Sequence, residues 1–117
     1  MRRTILVAAT LSCIFAGRAE AQWTDGNALS ESCEYWSRTI ESHSVNAHKG
    51  GYCGGYVTGV ADALDGSHFC VPGGPSGVQQ GQMVDVVKLY LRDHPETRNR
   101  GAANLIVAAL KEKFPCN

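Results

Sequence analysis

The sequence has no long hydrophobic run and no excess of charge of either sign. Its longest apolar stretch, from Ile5 to Ala16, has twelve residues, whereas a helix that spans a bilayer needs about 20. The chain has 11 basic and 11 acidic residues. We therefore expect no membrane insertion and no nucleic-acid partner, because nucleic-acid-binding domains carry an excess of basic residues.

Motifs of the common catalytic and metal sites are also missing from the sequence. No two cysteines have the CxxC spacing of a zinc site, and no serine lies in a GxSxG turn. The glycines between residues 51 and 59 lack the Lys-Ser/Thr pair that completes a phosphate-binding loop. We predict that the protein is not an enzyme and that it holds no metal or cofactor.

The sequence does have the three-part pattern of a secretory signal peptide. Arg2 and Arg3 precede the apolar run, and an Ala-Glu-Ala sequence ending at Ala21 supplies the small residues of a cleavage site. The pattern predicts a cleaved signal over residues 1–21 and one mature domain over residues 22–117. Cleavage removes three basic residues and one acidic residue, which leaves a formal charge of −2.

Four of the five cysteines belong to the predicted mature domain, because Cys13 lies within the signal. Cysteines present in even number in a small exported domain usually pair as disulfides. A domain of this size needs such links, since it buries only about 60–65% of the surface that its unfolded chain exposes. We predict disulfides among Cys33, Cys53, Cys70 and Cys116, with metal ligation as the disfavoured alternative.

Apolar residues recur at helical spacing in four segments of the mature chain. The first helix is expected over about 28–41, with Asn27 as its cap. The second is expected over about 52–64, after a polar surface loop from Ser42 to Gly51.

The third and fourth predicted helices lie on either side of a His-Pro break at residues 94–95. Ser76 and Gln79 have the spacing of a capping box for the third helix, and Asp93 and Glu96 have it for the turn before the fourth. The apolar face of the fourth helix consists of Ala102, Leu105, Ile106, Ala109 and Leu110. Four amphipathic helices with short connections predict an all-α, compact four-helix bundle-like domain.

The second predicted helix is rich in glycine. Gly54, Gly55 and Gly59 lie inside it, and each costs a helix about 1 kcal/mol relative to alanine. We expect a backbone or a large aromatic side chain to pack closely against these glycines and to offset that cost.

The reach of the chain limits how the four cysteines can pair. The second helix is about 20 Å long, whereas the segment from Asp65 to Cys70 spans at most about 17 Å, so pairing Cys70 with Cys53 is strained. In an antiparallel hairpin Cys33 faces Cys53, and the other two cysteines lie at the opposite end of the bundle. We predict the pairs Cys33–Cys53 and Cys70–Cys116.

The predicted second helix and the segments after it form an ordered series of matches to a known family. The matching segments are Tyr52–Leu64, Phe69–Pro72, Gly77-Val78, Gly81-Gln82, Asp85–Val87, Tyr90-Leu91, His94–Glu96, Arg98 and Phe114–Cys116. This order resembles the Rap/Tai family of immunity proteins, small exported helical proteins that neutralise peptidoglycan amidase effectors of bacterial type VI secretion. The resemblance extends from about Asp25 to Cys116.

The resemblance implies a periplasmic protein, commonly a homodimer, that binds an amidase and occludes its active-site cleft, partly with a loop between helices. The turn between the third and fourth predicted helices is polar and pinned by proline, and it is our first candidate for this contact. Its candidate contact residues are Arg92, Asp93, His94, Glu96, Arg98 and Arg100. We expect substitution of His94 or Arg98 to weaken binding without lowering stability.

A second candidate contact is the Val71–Ser76 loop. The chain departs from the family pattern there, because it has extra residues around Pro72–Ser76 before the Gly77-Val78 step. An alternative function, from a different class, is a small periplasmic stress or chaperone-like protein without a dedicated effector. A chaperone is expected to expose apolar surface, whereas an immunity protein stays rigid and binds one partner tightly.

Overall fold

Four helices make up most of the described chain, and they are joined by turns without regular strands among the described residues. The computed structural model describes residues 23–42, 46–74 and 76–117, so the predicted signal peptide and its cleavage site lie outside the described residues. The helices are α1 (Gly26–Ser42), α2 (Ala47–Leu64), α3 (Gln80–Asp93) and α4 (Ala102–Lys113), with a 3₁₀ turn at Pro95–Thr97. The predicted all-α, four-helix fold is confirmed.

The core lies where the apolar faces of the four helices meet. Leu29 and Cys33 contribute from α1 and are fully buried. The five residues predicted for the inner face of α4 are all buried, so that prediction is confirmed. The largest fully buried side chain is Phe69, which lies in the irregular segment between α2 and α3 and packs into the same core.

Helix α2 contributes one face to the core. Its buried residues are Gly50, Cys53, Gly54, Val57 and Ala61. Gly54 is in close contact with Trp36 of α1, and a Cβ atom there would overlap the indole ring. Gly55 and Gly59 have no atom within 4 Å of where a Cβ would lie. Close packing against glycine is therefore confirmed at Gly54 and wrong at Gly55 and Gly59, which lie on the exposed side of the helix.

We expect Gly54→Ala to lower the free energy of unfolding by about 1–3 kcal/mol, the usual cost of overpacking a core, because the new methyl displaces the Trp36 ring. Gly81→Ala is the matched control, since Gly81 also lies in a helix and a Cβ there meets no atom within 4 Å. Urea denaturation measures both variants. Equal stability of the two variants would contradict the contact with Trp36.

The starts of α1 and α2 differ from the predicted ones. Asp25 precedes α1, and its side chain accepts a hydrogen bond from the Ala28 N–H at 2.9 Å, so Asn27 as the cap is wrong. Helix α2 begins at Ala47, within the predicted polar loop from Ser42 to Gly51. Its cap is Asn46, which has φ of 30° and accepts a hydrogen bond from the Lys49 N–H. The polar residues of this segment therefore belong partly to a capped helix.

The cap of α3 and the cap of the 3₁₀ turn after it also differ from the predicted caps. The side chain of Gln82 accepts a hydrogen bond from the Gln79 N–H at 2.7 Å, so the start is set by Gln79 and not by Ser76. After α3, Pro95 occupies the first position of the 3₁₀ turn, as expected for proline, but no side chain caps that turn. The Asp93 carboxylate instead accepts from Arg92 at 3.0 Å, and the predicted Asp93–Glu96 capping box is wrong.

The predicted disulfide pairs, Cys33–Cys53 and Cys70–Cys116, are confirmed, with Cα–Cα distances of 5.0 and 4.9 Å. The first bridge joins α1 to α2, and both of its cysteines are fully buried. The second joins the end of the chain to the segment after α2, where both cysteines are exposed. The Cys70 N–H also donates to the Phe114 carbonyl at 2.8 Å, so the C-terminus is held at two adjacent points.

Candidate partner-binding site

The turn between α3 and α4, residues 92–100, is held in place by the side chain of Arg98. Its Nε donates a hydrogen bond to the Leu91 carbonyl at 2.6 Å, and its Nη2 donates to the Arg92 carbonyl at 3.4 Å. These carbonyls lie in the last turn of α3, where helical carbonyls lack partners within the helix and favour a cation. Arg98 therefore caps α3 from the far side of the turn.

Backbone hydrogen bonds fix the same turn to the start of α1. The Gly26 N–H donates to the Arg100 carbonyl at 3.0 Å, and the Asn27 N–H donates to the Arg98 carbonyl at 3.1 Å. The Ala102 N–H donates to the Thr24 carbonyl at 2.8 Å. The chain approaches closely here, because a Cβ on Gly26 would overlap Leu105 and the Arg98 backbone. The turn is consequently a fixed structure and not a loose loop.

His94 also faces inward. Its ring stacks on the Tyr90 ring with centroids 4.2 Å apart, and its Nδ1 lies 2.9 Å from the Tyr90 carbonyl oxygen. Both His94 and Arg98 are partly buried. They help to hold the turn, which revises the expectation that their substitution leaves stability unchanged.

Four of the six predicted contact residues lie on the exposed surface of the turn. These are Arg92, Asp93, Glu96 and Arg100. Arg92 and Asp93 form an ion pair at 3.0 Å, with side chains 72% and 51% exposed. Exposed pairs of this kind contribute about 0–1 kcal/mol to stability, so both groups can exchange their pairing for a partner at little cost. Two of the six residues therefore hold the turn, and the other four are exposed to solvent.

We expect Arg98→Ala to lower the free energy of unfolding by about 1–2 kcal/mol, since it removes charge-assisted hydrogen bonds to two backbone carbonyls at a half-buried site. Arg100→Ala is the control, because Arg100 is exposed and surface substitutions stay within about 0.5 kcal/mol. Thermal or urea unfolding of both variants tests the difference. If Arg98→Ala is as stable as the control, the capping role is wrong.

In the second predicted contact, the Val71–Ser76 loop, residues 72–74 and Ser76 are exposed and Val71 is half-buried. Hydrogen bonds also hold this loop. The Val71 N–H donates to the Asp65 carboxylate and the Val78 N–H donates to the Pro72 carbonyl, both at 2.8 Å. Gly74 has φ of 86°, a conformation that favours glycine. Pro75, within this loop, lies outside the described residues. The loop follows Cys70, whose disulfide ties it to the C-terminus.

Two side chains with perturbed pKa values lie away from the turn. Burial raises the pKa of the Tyr56 phenol, and the hydrogen bond from Lys49 to Glu31, at 2.5 Å, raises the pKa of Lys49. Both shifts move the pKa further from neutrality, whereas an acid–base catalyst needs a pKa near the working pH. Both groups therefore keep their ordinary protonation states at neutral pH.

The part of the chain that the structure describes has neither a metal-binding cluster nor a membrane-spanning helix. Its histidine, cysteine, aspartate and glutamate side chains form no cluster of three able to hold a metal ion. Among the same residues, every helix is too short or too polar to cross a membrane.

The sequence reasoning missed one surface residue close to the turn. Leu89 lies on α3 and is 48% exposed. The sequence did indicate this exposure, because the helical neighbours of Leu89 include the charged residues Asp85 and Arg92. It lines the same surface depressions as Arg92 and Asp93.

The chain matches a protein-family model. The model described as Rap1a immunity proteins matches residues 25–116, which is most of the chain and includes both disulfides and the whole turn. No curated protein matches the chain.

Proposed function

The chain belongs to the Rap1a immunity protein family, and we propose that it protects the cell by binding and inhibiting a peptidoglycan amidase effector of a type VI secretion system. The family match is the observation that carries the proposal, because the matched region includes the fixed polar turn. The inhibitor acts by binding and not by catalysis. It occludes the active-site cleft of the amidase with residues 92–100.

The periplasm is the proposed site of action. Both disulfides support this, since structural disulfides form and persist in oxidising compartments outside the cytoplasm. Export by cleavage of residues 1–21 remains a prediction, as does the mature domain over residues 22–117. An amidase that attacks the cell wall has to be stopped in this compartment, so the location and the function support each other.

The geometry of the turn suits occlusion of a cleft. An inhibitor that inserts a flexible loop loses conformational entropy on binding, whereas a fixed loop has largely lost that entropy already. The hydrogen bonds of Arg98 and of the start of α1 hold the turn in the free protein. The exposed guanidinium groups of Arg92 and Arg100 can bind carboxylate or carbonyl oxygens in the cleft, and Glu96 can accept from donors there.

A homodimer is also proposed, on the basis of the family. The outer side of α2 has room for a second copy, because Gly51, Gly55 and Gly59 leave one strip of it without side chains. Sedimentation equilibrium of the mature protein is expected to give twice the monomer mass. A monomer at all concentrations would remove this part of the proposal and leave the inhibitory function unaffected.

The experiment that tests the function is capture of the partner from a periplasmic extract by the mature protein. We expect the captured protein to be an amidase with a catalytic cysteine and histidine, and its gene to lie beside the gene of this chain. Recovery of many unrelated unfolded proteins, with no amidase among them, would favour the chaperone-like alternative instead.

A further inference from the structure

Exposed aromatic side chains lie close to the start of α1. Three large hydrophobic side chains are strongly exposed among the described residues, namely Trp23, Tyr52 and Leu89, and Trp23 is the most exposed at 94%. The hydroxyl oxygens of Thr24 and Tyr52 share a hydrogen bond of 2.6 Å. The Tyr52 and Tyr56 rings lie side by side, with centroids 5.7 Å apart. We call Trp23, Tyr52 and Tyr56 the aromatic patch.

The backbone that carries Trp23 is fixed, although the side chain is exposed. The Ala102 N–H donates to the Thr24 carbonyl at 2.8 Å, and Asp25 forms an isolated bridge with Gly101. A hydrogen bond from α2 holds the Thr24 side chain as well. A tryptophan on a fixed segment loses less conformational entropy than one on a flexible segment when a partner covers it.

The aromatic patch adjoins the turn at residues 92–100. This turn leads into α4, and the segment that carries Trp23 pairs with the chain at that junction, where the Gly26 N–H donates to the Arg100 carbonyl at 3.0 Å. Tyr56 also reaches the start of α4, because its phenol forms a hydrogen bond with the Ala103 backbone. The patch and the turn are therefore neighbouring parts of one surface.

The helices beside the patch have long segments without charged side chains. Helix α2 has no charged residue from Gly50 to Ala61, and α4 has none from Ala102 to Leu110. The turn, in contrast, has four exposed charged residues. The centres of protein interfaces are depleted of charge, and tryptophan and tyrosine are the residues most enriched among binding hot spots. An uncharged aromatic patch beside a charged turn therefore fits a protein partner that has an apolar surface next to a polar cleft.

We infer that the amidase effector covers the aromatic patch as well as the turn, and that Trp23 is the main apolar contact, buried against an uncharged surface beside the amidase cleft. This inference rests on the proposed function and assigns a second part of its contact surface. The turn alone is too small, because a stable interface takes about 20–30 residues from each partner. The effector is the occupant because a partner that covers the turn meets the patch next to it.

The test compares four forms of the mature protein for binding to a catalytically inactive form of the amidase that the periplasmic capture identifies. The forms are the unaltered protein, Trp23→Ala, Trp23→Phe and the control His68→Ala. The control also removes an exposed ring. His68 lies two residues before Cys70, which the hydrogen bond from its N–H to the Phe114 carbonyl places at the far end of α4.

Isothermal titration calorimetry is expected to show binding about 100-fold weaker for Trp23→Ala, as for a hot-spot residue. Trp23→Phe keeps an aromatic ring and should bind less than about tenfold more weakly. His68→Ala should bind as the unaltered protein does. The thermal midpoint should be the same for all four forms, since the altered side chains are exposed.

Sedimentation equilibrium of the same forms separates the effector from a second copy of the chain as the occupant of the patch. We expect Trp23→Ala to have the mass of the unaltered protein. A lower mass for Trp23→Ala, with its affinity for the amidase unchanged, assigns the patch to a second copy and overturns the inference. Equal affinity and equal mass also overturn it and leave the proposed function standing. No binding by the unaltered protein overturns both.

Discussion

Reduction of both disulfides is expected to unfold the domain. The bridges close sequence separations of 20 and 46 residues, and chain entropy alone gives each about 3–4 kcal/mol of stabilisation. Their sum is about 7 kcal/mol, which is comparable with the total stability of about 5–15 kcal/mol that a folded domain usually has. Circular dichroism after full reduction is therefore expected to show loss of most helix at 37 °C.

The two bridges should open in a fixed order as dithiothreitol is raised. Cys70 and Cys116 are exposed, whereas Cys33 and Cys53 are fully buried, and thiol–disulfide exchange requires access to a sulfur atom. Alkylation followed by mass spectrometry should find free thiols first at Cys70 and Cys116. The same concentration of oxidised dithiothreitol is the control. A fully reduced and alkylated protein that keeps its helix content would contradict the stabilising role of the bridges.

The second large effect is expected from charge reversal in the turn. Arg92→Glu and Arg100→Glu, each made alone, should weaken inhibition of the amidase about 100-fold, because each places a repulsive charge where the proposed contact needs a cation. Stability should change little, since both side chains are exposed. Inhibition curves with the cognate amidase measure the effect.

Lys111→Glu is the matched control for both reversals. Lys111 is exposed near the end of α4 and makes the same change of net charge when it is reversed. It lies outside the turn. If Lys111→Glu weakens inhibition as much as the turn variants do, long-range attraction between the two proteins explains the effect, and the assignment of the contact to the turn is wrong.

The parts of the fold that were predicted correctly depend on how far a short segment can reach and on apolar residues that lie on one side of a helix. The pairing of Cys33 with Cys53 followed from the length of α2 and the short reach to Cys70. The inner face of α4 followed because its apolar residues lie on one side. Such features are set by local geometry, so they can be read without knowledge of the tertiary structure.

Helix α2 shows why the rest was harder to predict. Apolar and small residues occur on all of its sides, so spacing alone does not identify the face that meets α1. The deciding contacts are tertiary, namely the bridge to Cys33 and the packing of Trp36 on Gly54. Phe69 was missed for a related reason, since its proline- and glycine-rich neighbourhood has no helical period that would mark a buried position.

The sequence singled out the candidate turn but did not show the roles of its residues. The turn after α3 was recognisable from its polar residues and its proline. The inward direction of the Arg98 side chain was not recognisable from the sequence, because its guanidinium reaches back seven residues to the Leu91 carbonyl. A long flexible side chain has many possible partners, and only the folded backbone shows which one it uses.

Inhibition of the cognate amidase by the mature protein is the most direct test of the proposed function. Peptidoglycan hydrolysis is measured at a fixed amidase concentration while the mature protein is added. The proposal predicts a linear loss of activity that is complete at one subunit per amidase active site. Full hydrolysis in the presence of a large excess of correctly disulfide-bonded protein would contradict it.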